Sequence, residues 1–193
     1  FRLVPQNSDS TGIAVDTEFL LETEDNYSLE EIRNAFSIDG EPAPTIEELD
    51  ENFFSIKLAR PLMENSLYTF RLKTDKETTW VFQTQATFKI TGSLPAEKSI
   101  NVPVRTGIEI YFSHENFSDF EKHFEITPAV KGRFEFRKKT AVFVPDGLEY
   151  DTVYTVRIKK GIRLQGTDRE ISKDYVFSFE TQSRNTNYTP SPN

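Results

Sequence analysis

The chain has 193 residues, 23 of them Lys or Arg and 31 Asp or Glu, for a formal charge of −8 with 36% hydrophobic and 13% aromatic residues. An acidic balance of this size repels phosphate at long range and argues against nucleic-acid binding. Cysteine does not occur, which excludes disulfides, thiolate metal sites and cysteine nucleophiles, and no run approaches the ~18 apolar residues that a bilayer-spanning helix requires.

In chain order the first predicted element is a strand at Phe1-Arg2-Leu3, followed by Thr11-Gly12-Ile13-Ala14-Val15 and a strand ending in Leu20-Leu21-Glu22-Thr23. Ser28 with Glu31 forms a capping-box pattern that opens about two turns of helix. Phe36-Ser37-Ile38 comes next, then an acidic, Pro-containing stretch from Gly40 to Glu51 that is expected to be a loop. Leu67-Tyr68-Thr69-Phe70-Arg71-Leu72 and Trp80-Val81-Phe82-Gln83-Thr84-Gln85 read as closing strands.

The same order then recurs, and self-similarity at this period marks a duplicated domain. Phe88-Lys89-Ile90 repeats Phe1-Arg2-Leu3, and Lys98-Ser99-Ile100-Asn101-Val102 repeats Thr11 to Val15. Ser118-Asp119-Phe120-Glu121 takes the place of Ser28 to Glu31 and predicts a second capped helix; Phe124-Glu125-Ile126 repeats Phe36 to Ile38. Val153-Tyr154-Thr155-Val156-Arg157-Ile158 and Phe177-Ser178-Phe179-Glu180-Thr181-Gln182 repeat the two closing strands. The main difference in length is Lys159 to Asp174 against Lys73 to Thr79, as expected of an insertion in a surface loop.

Within each copy the apolar period is two, as in Ile108, Ile110 and Phe112 or Tyr175, Phe177 and Phe179, which reads as half-buried strands. About seven short strands per copy, with turns such as Pro145-Asp146-Gly147, predict an all-β protein of two tandem immunoglobulin-like antiparallel sandwiches, each with one short helix. The expected domains are 1–86 and 87–183, with 184–193 as a linker. Leu62 precedes Tyr68 by the same six residues that separate Leu148 from Tyr154, which places a Tyr after a turn as at the tyrosine corner of such sandwiches. The opening at Phe1 without Met, and the tail Thr189-Pro190-Ser191-Pro192-Asn193, predict a segment of a longer protein.

Residues 88 to 182 resemble a bacterial immunoglobulin-like domain of the surface-protein and S-layer type. The features that carry the resemblance are Pro95, Ile108 to Ser113, Phe124 to Pro128, Val142-Phe143-Val144-Pro145 with Leu148, Thr152 and Tyr154, and Tyr175 to Thr181. Two such copies followed by a Pro-containing linker also resemble the N-terminal region of bacterial alpha-2-macroglobulin-like proteins, which trap proteases. The resemblance implies a non-catalytic scaffold or interaction module at the cell surface, in the envelope or outside the cell; an adhesin, S-layer or carbohydrate-binding spacer is the alternative it leaves open. Its implied partners are other domains of the parent chain and a protein or wall-polymer ligand, without nucleic acid and without a membrane span.

No residue is assigned as catalytic, cofactor-binding or metal-ligating. The cluster Ser113-His114-Glu115-Asn116 with Ser118, Asp119 and His123 holds triad residue types, but it falls on a strand end, a loop and a short helix, where Ser, Asn and Asp form turns and caps. The nine-residue spacing of His114 and His123 matches no recurring zinc pattern. Glu22-Thr23-Glu24-Asp25 and Glu47-Glu48-Leu49-Asp50-Glu51 lack the alternating loop that wraps calcium. Trp80 is in phase with Phe82 and is expected to face the core.

Charge divides between the copies: residues 1 to 85 carry 7 basic and 17 acidic side chains, residues 86 to 193 carry 16 and 14. The second copy concentrates bases at Arg133, Arg137, Lys138 and Lys139 and at Arg157, Lys159, Lys160 and Arg163, which read as solvent-facing strand positions or as a surface for an acidic partner.

Overall fold

The computed structural model describes residues 1–184 and divides into two compact units, Phe1–Thr87 and Phe88 onward. From residue 185 the expected linker lies outside the described residues. Each unit is an antiparallel β-sandwich with its own aromatic-rich core.

The first unit runs β1 (Arg2–Pro5), β2 (Ser8–Asp9), β3 (Gly12–Ile13), β4 (Phe19–Glu22), α1 (Leu29–Ala35), β5 (Phe36–Ile38), β6 (Thr45–Asp50), β7 (Phe53–Lys57), β8 (Leu67–Lys73) and β9 (Glu77–Gln83). One sheet has the order β1-β4-β7-β6 and the other β5-β8-β9. Alternation puts Leu21, Phe54, Ile56, Phe70 and Leu72 in the core with no exposed surface. The acidic stretch expected as a loop contains β6, an edge strand. Only Ile46 of its six residues is buried, so no apolar alternation marks the strand in the sequence. Trp80 packs against the core beside Phe82, opposite Phe70, as its phase predicts.

The second unit runs β10 (Ile90–Leu94), β11 (Ser99–Val102), β12 (Ile108–Phe112), β13 (Phe117–Ser118), α2 (Phe120–His123), β14 (Phe124–Thr127), β15 (Gly132–Arg137), β16 (Thr140–Pro145), β17 (Val153–Ile158), β18 (Arg163–Leu164) and β19 (Tyr175–Thr181). Its sheets have the orders β10-β12-β16-β15 and β11-β19-β17-β14. In both units the strand following the first turn crosses to the opposite sheet and pairs in parallel with the end of the last strand, Ile13 with Thr84 and Val102 with Thr181. The repeat set Ile13 against Ile100; the structure sets it against Val102. A register irregularity between Ser99 and Val102, with Asn101 at φ 55°, turns Ile100 outward to 68% exposure.

Both predicted tyrosine corners form. The Tyr68 hydroxyl accepts from the Met63 N–H at 2.9 Å, and the Tyr154 hydroxyl accepts from the Glu149 N–H at 2.8 Å. A threonine of the closing strand completes each: Thr84 Oγ1 donates to the Met63 carbonyl and accepts from the Ser66 N–H, and Thr181 Oγ1 donates to the Glu149 carbonyl and accepts from the Thr152 N–H. Both threonines are buried. The recurring Thr-Gln pair that ends each copy is therefore a corner clamp.

Helix α1 has the predicted capping box, with Ser28 Oγ accepting from the Glu31 N–H and the Glu31 carboxylate accepting from the Ser28 N–H. The predicted cap of α2 does not form. Ser118 is drawn instead into β13, which pairs with β18 of the Lys159–Asp174 insertion, and its hydroxyl donates to the Arg163 carbonyl. Asp119, at φ 60°, becomes the N-cap without a side-chain bond, and the helix is a single turn.

Candidate functional site

Among the described residues no three His, Cys, Asp or Glu side chains gather as a metal would require, and no helix is long and apolar enough to cross a membrane. The triad residue types are brought to one end of the second sandwich, but each is held by a local bond. Ser113, just past β12, accepts from the Lys89 N–H at 2.9 Å through Oγ and shares a hydrogen bond with His114 Nδ1 at 2.7 Å. His114 is 8% exposed and stands edge-on to Phe88. A nucleophilic serine needs a base that can receive its proton and a third group that orients that base. Here the two residues are neighbours in sequence, the serine oxygen is tied to strand β10's approach, and the ring is walled by an aromatic.

The remaining members of that cluster point elsewhere. The Asn116 carbonyl accepts from the Gln165 N–H, Asp119 lies 3.6 Å from Lys122, and His123 Nδ1 donates to the Asp119 carbonyl at 2.7 Å. In the first acidic run Thr23 Oγ1 donates to the Asp25 carbonyl at 2.9 Å, a bond internal to the loop.

The two basic stretches differ. Arg157 pairs with Asp174 at 3.0 Å and Lys159 with Glu125 at 3.2 Å, so two of the four bases of this stripe are paired in place. Asp174 also accepts from the Lys160 N–H, and these bonds hold its carboxyl below the usual carboxylate range. In the first unit Arg71 does the same for Asp39, while Glu77 binds the guanidinium from its other side. By contrast Arg137, Lys138 and Lys139 form the exposed tip of the β15–β16 hairpin, and among the described residues no acidic side chain pairs with them. Lys138 sits at φ 51°, where Gly or Asn is the relaxed choice.

Next to this hairpin lies a groove of about 650 Å³, lined by Phe124, Ile126, Val130, Phe134 and Phe143 with Lys131 and Asp146 at its rim. Phe124, Phe134 and Phe143 meet with ring centroids 4.7 to 5.5 Å apart. Phe136, farther along β15, is 48% exposed although its ring edge meets Phe117 and Phe120. Sequence reasoning singled out the bases of β15 and overlooked its aromatics. The available signal was the alternation Arg133-Phe134-Glu135-Phe136-Arg137, charged on one face and aromatic on the other.

Residues 84–181 match the model of a bacterial Ig-like domain. No curated protein matches the chain in sequence. Among solved structures it is similar to L,D-transpeptidase 3 of Mycobacterium tuberculosis in complex with a faropenem-derived adduct, at 17% identity and a TM-score of 0.34, covering 49% of this chain and 37% of that one. An L,D-transpeptidase of Mycobacterium smegmatis gives 16% identity and 0.36 over 50% and 41%. The Bacteroides ovatus mixed-linkage glucan utilization locus protein SGBP-B, in complex with a mixed-linkage heptasaccharide, gives 14% and 0.31 over 93% and 46%. The chain thus spans less than half the length of each of these structures.

Proposed function

The chain belongs to the bacterial Ig-like domain family, and on that premise we infer that it is a non-catalytic structural and interaction module of a larger bacterial cell-surface or secreted protein. The observation that carries this reading is the use made of its reactive residue types: serine and both histidines of the best catalytic-looking cluster hold strand ends, a loop and a helical turn together. Two sandwiches with separate cores, each locked by a corner clamp, suit a chain that must space and present other parts of a protein. The finer reading is the scaffold of an alpha-2-macroglobulin-like protease trap. The cationic hairpin favours a second one, a spacer in an adhesin or S-layer protein that meets an anionic polymer.

Two measurements test this. A panel of ester, glycoside and peptide substrates is expected to show no turnover by the chain, and turnover abolished by His114→Ala or His123→Ala would overturn the non-catalytic reading. An immunoblot of the bacterial envelope with antibody to the chain is expected to reveal a parent above roughly 150 kDa, as many further domains require. Incorporation of methylamine and capture of protease by that band support the trap; a band lacking both assigns the chain to an adhesin or spacer.

A further inference from the structure

One side of the second sandwich is open where the equivalent side of the first is closed. In each unit these strands lie at sheet edges, β5 and β6 in the first and β14 and β15 in the second, and residues of β14 and β15 line one groove. In the first unit α1 packs against β6, and its Arg33 guanidinium donates to the Ile46 carbonyl at 3.0 and 3.3 Å. Strand β6 is also broken by a register irregularity between Glu48 and Asp50. Covering an edge and bulging it are two of the ways by which sheets avoid added strands. In the second unit α2 is one turn, with Lys122 and His123 directed back at Asp119, and the space beside it is the groove floored by Phe124, Phe134 and Phe143. Strand β15 keeps an unbroken register with β16 from Gly132↔Pro145 to Arg137↔Thr140 and pairs with that strand alone.

The hairpin closes on Arg137↔Thr140 through a two-residue loop, so the bonds to β16 are made by Arg133, Glu135 and Arg137. The alternate residues Phe134 and Phe136 turn their N–H and C=O groups outward. Phe134 lines the groove and Phe136 lies on the same face beside Phe117 and Phe120, while Arg133 and Arg137 lie on the other face with Lys138 and Lys139 at the tip. Arg133 is met by Glu135, and the three cations from Arg137 to Lys139 lie without acidic partners among the described residues. With Glu135 offsetting Arg133, a net of three positive charges on this edge repels a second copy of it and selects an acidic guest.

We propose that β15 accepts an extended acidic peptide as an added strand, with acidic residues opposite Arg133 and Arg137 and apolar residues opposite Phe134 and Phe136. The motif is acidic, apolar, any residue, apolar, acidic. It reads alike in both directions, so it suits parallel or antiparallel addition. Main-chain bonds to Phe134 and Phe136 supply affinity, and the alternating pockets and charges supply selection. This names a partner for the interaction module inferred above and rests on that reading.

The test uses the whole 193-residue chain and a fluorescein-labelled peptide containing Glu-Val-Thr-Val-Glu between Gly-Ser flanks, followed by anisotropy and by amide hydrogen exchange. Binding is expected, weakened by salt, with new protection at the Phe134 and Phe136 amides. A peptide of the same composition with its two acids adjacent, and one with lysines in their place, are expected to bind at least about tenfold more weakly. F136P removes an outward N–H and leaves the bonds to β16, and R137E/K138E/K139E reverses the tip; each is expected to lower affinity about tenfold, the triple variant with an unchanged melting curve and F136P measured well below its own midpoint, which falls because the ring contacts with Phe117 and Phe120 are lost. Lack of binding, equal binding of the rearranged peptide as in simple polyanion adsorption, or binding without protection at Phe134 and Phe136 overturns the proposal. Protection of these amides by self-association at rising protein concentration overturns it in favour of a second copy. The substrate panel judges the module reading separately, so failure of one is distinguishable from failure of the other.

Discussion

Tyr154 and Tyr68 occupy equivalent corners but differ in burial, and that difference sets what each hydroxyl contributes. Tyr154 is 1% exposed, whereas Tyr68 is only half-buried and the Met63 it serves is 73% exposed. Removing a hydroxyl strands the backbone N–H it served, which is expensive only where water cannot replace it. Tyr154→Phe is therefore expected to destabilise the second unit by about 1–2 kcal/mol, and Tyr68→Phe the first by about 0.5–1 kcal/mol. Thr181→Val, which strands the Glu149 carbonyl and the Thr152 N–H together, should exceed both. Urea unfolding resolves the effects, because Trp80 is the sole tryptophan and reports the first unit, while total circular dichroism reports both. Equal losses for the two tyrosines would contradict the burial argument. The corner was legible in the sequence because Leu62 and Leu148 stand at one fixed distance from a tyrosine in both copies. The partner threonines were visible as the repeated Thr-Gln, but their role was not, since a side chain to backbone bond across a loop leaves no periodic trace.

The two helices show where a repeat stops being informative. The same pattern, Ser28 to Glu31 and Ser118 to Glu121, makes a capping box once. In the second copy the longer Lys159–Asp174 insertion contributes β18, and strand pairing takes Ser118 away from the helix start. A local pattern was overridden by a partner about 45 residues away, as the hydrogen bond from the Ser118 hydroxyl to the Arg163 carbonyl shows. Ser28→Ala should accordingly cost about 1 kcal/mol, the usual worth of an N-cap. Ser118→Ala, which removes only an exposed 3.2 Å bond, should stay within about 0.5 kcal/mol. Thermal melts of the two variants check the asymmetry; equal shifts would mean that α2 is capped in solution. The same competition explains β6: its neighbours in space, not its own residues, make a strand of a Pro-bounded acidic stretch. It also explains why the groove was not foreseen, since an open edge follows from how short α2 is.

At the scale of the whole chain, fold class and duplication were legible because alternation and repeat both survive in single residues such as Phe36 and Phe124. The division of charge was legible too, but its consequence depends on structure. Residues 1 to 87 carry a net −10 and residues 88 to 193 a net +2. In the first unit the exposed carboxylates of β6 and its turn crowd one strand, while Arg71 and Arg60 are already engaged by Asp39, Glu77 and Glu41. Added salt screens repulsion among exposed charges over a Debye length of about 10 Å at 0.1 M. It has little net repulsion to relieve in the second unit, where Arg157 and Lys159 already face Asp174 and Glu125. Raising NaCl from about 0.01 to about 0.3 M is therefore expected to raise the melting midpoint reported by Trp80, by roughly 4–8 °C if screening restores about 1 kcal/mol. The transition of the second unit should move by less. A Trp80 midpoint that stays fixed or falls with salt would show that ion pairs, rather than repulsion among the acidic side chains, dominate the electrostatics of the first sandwich.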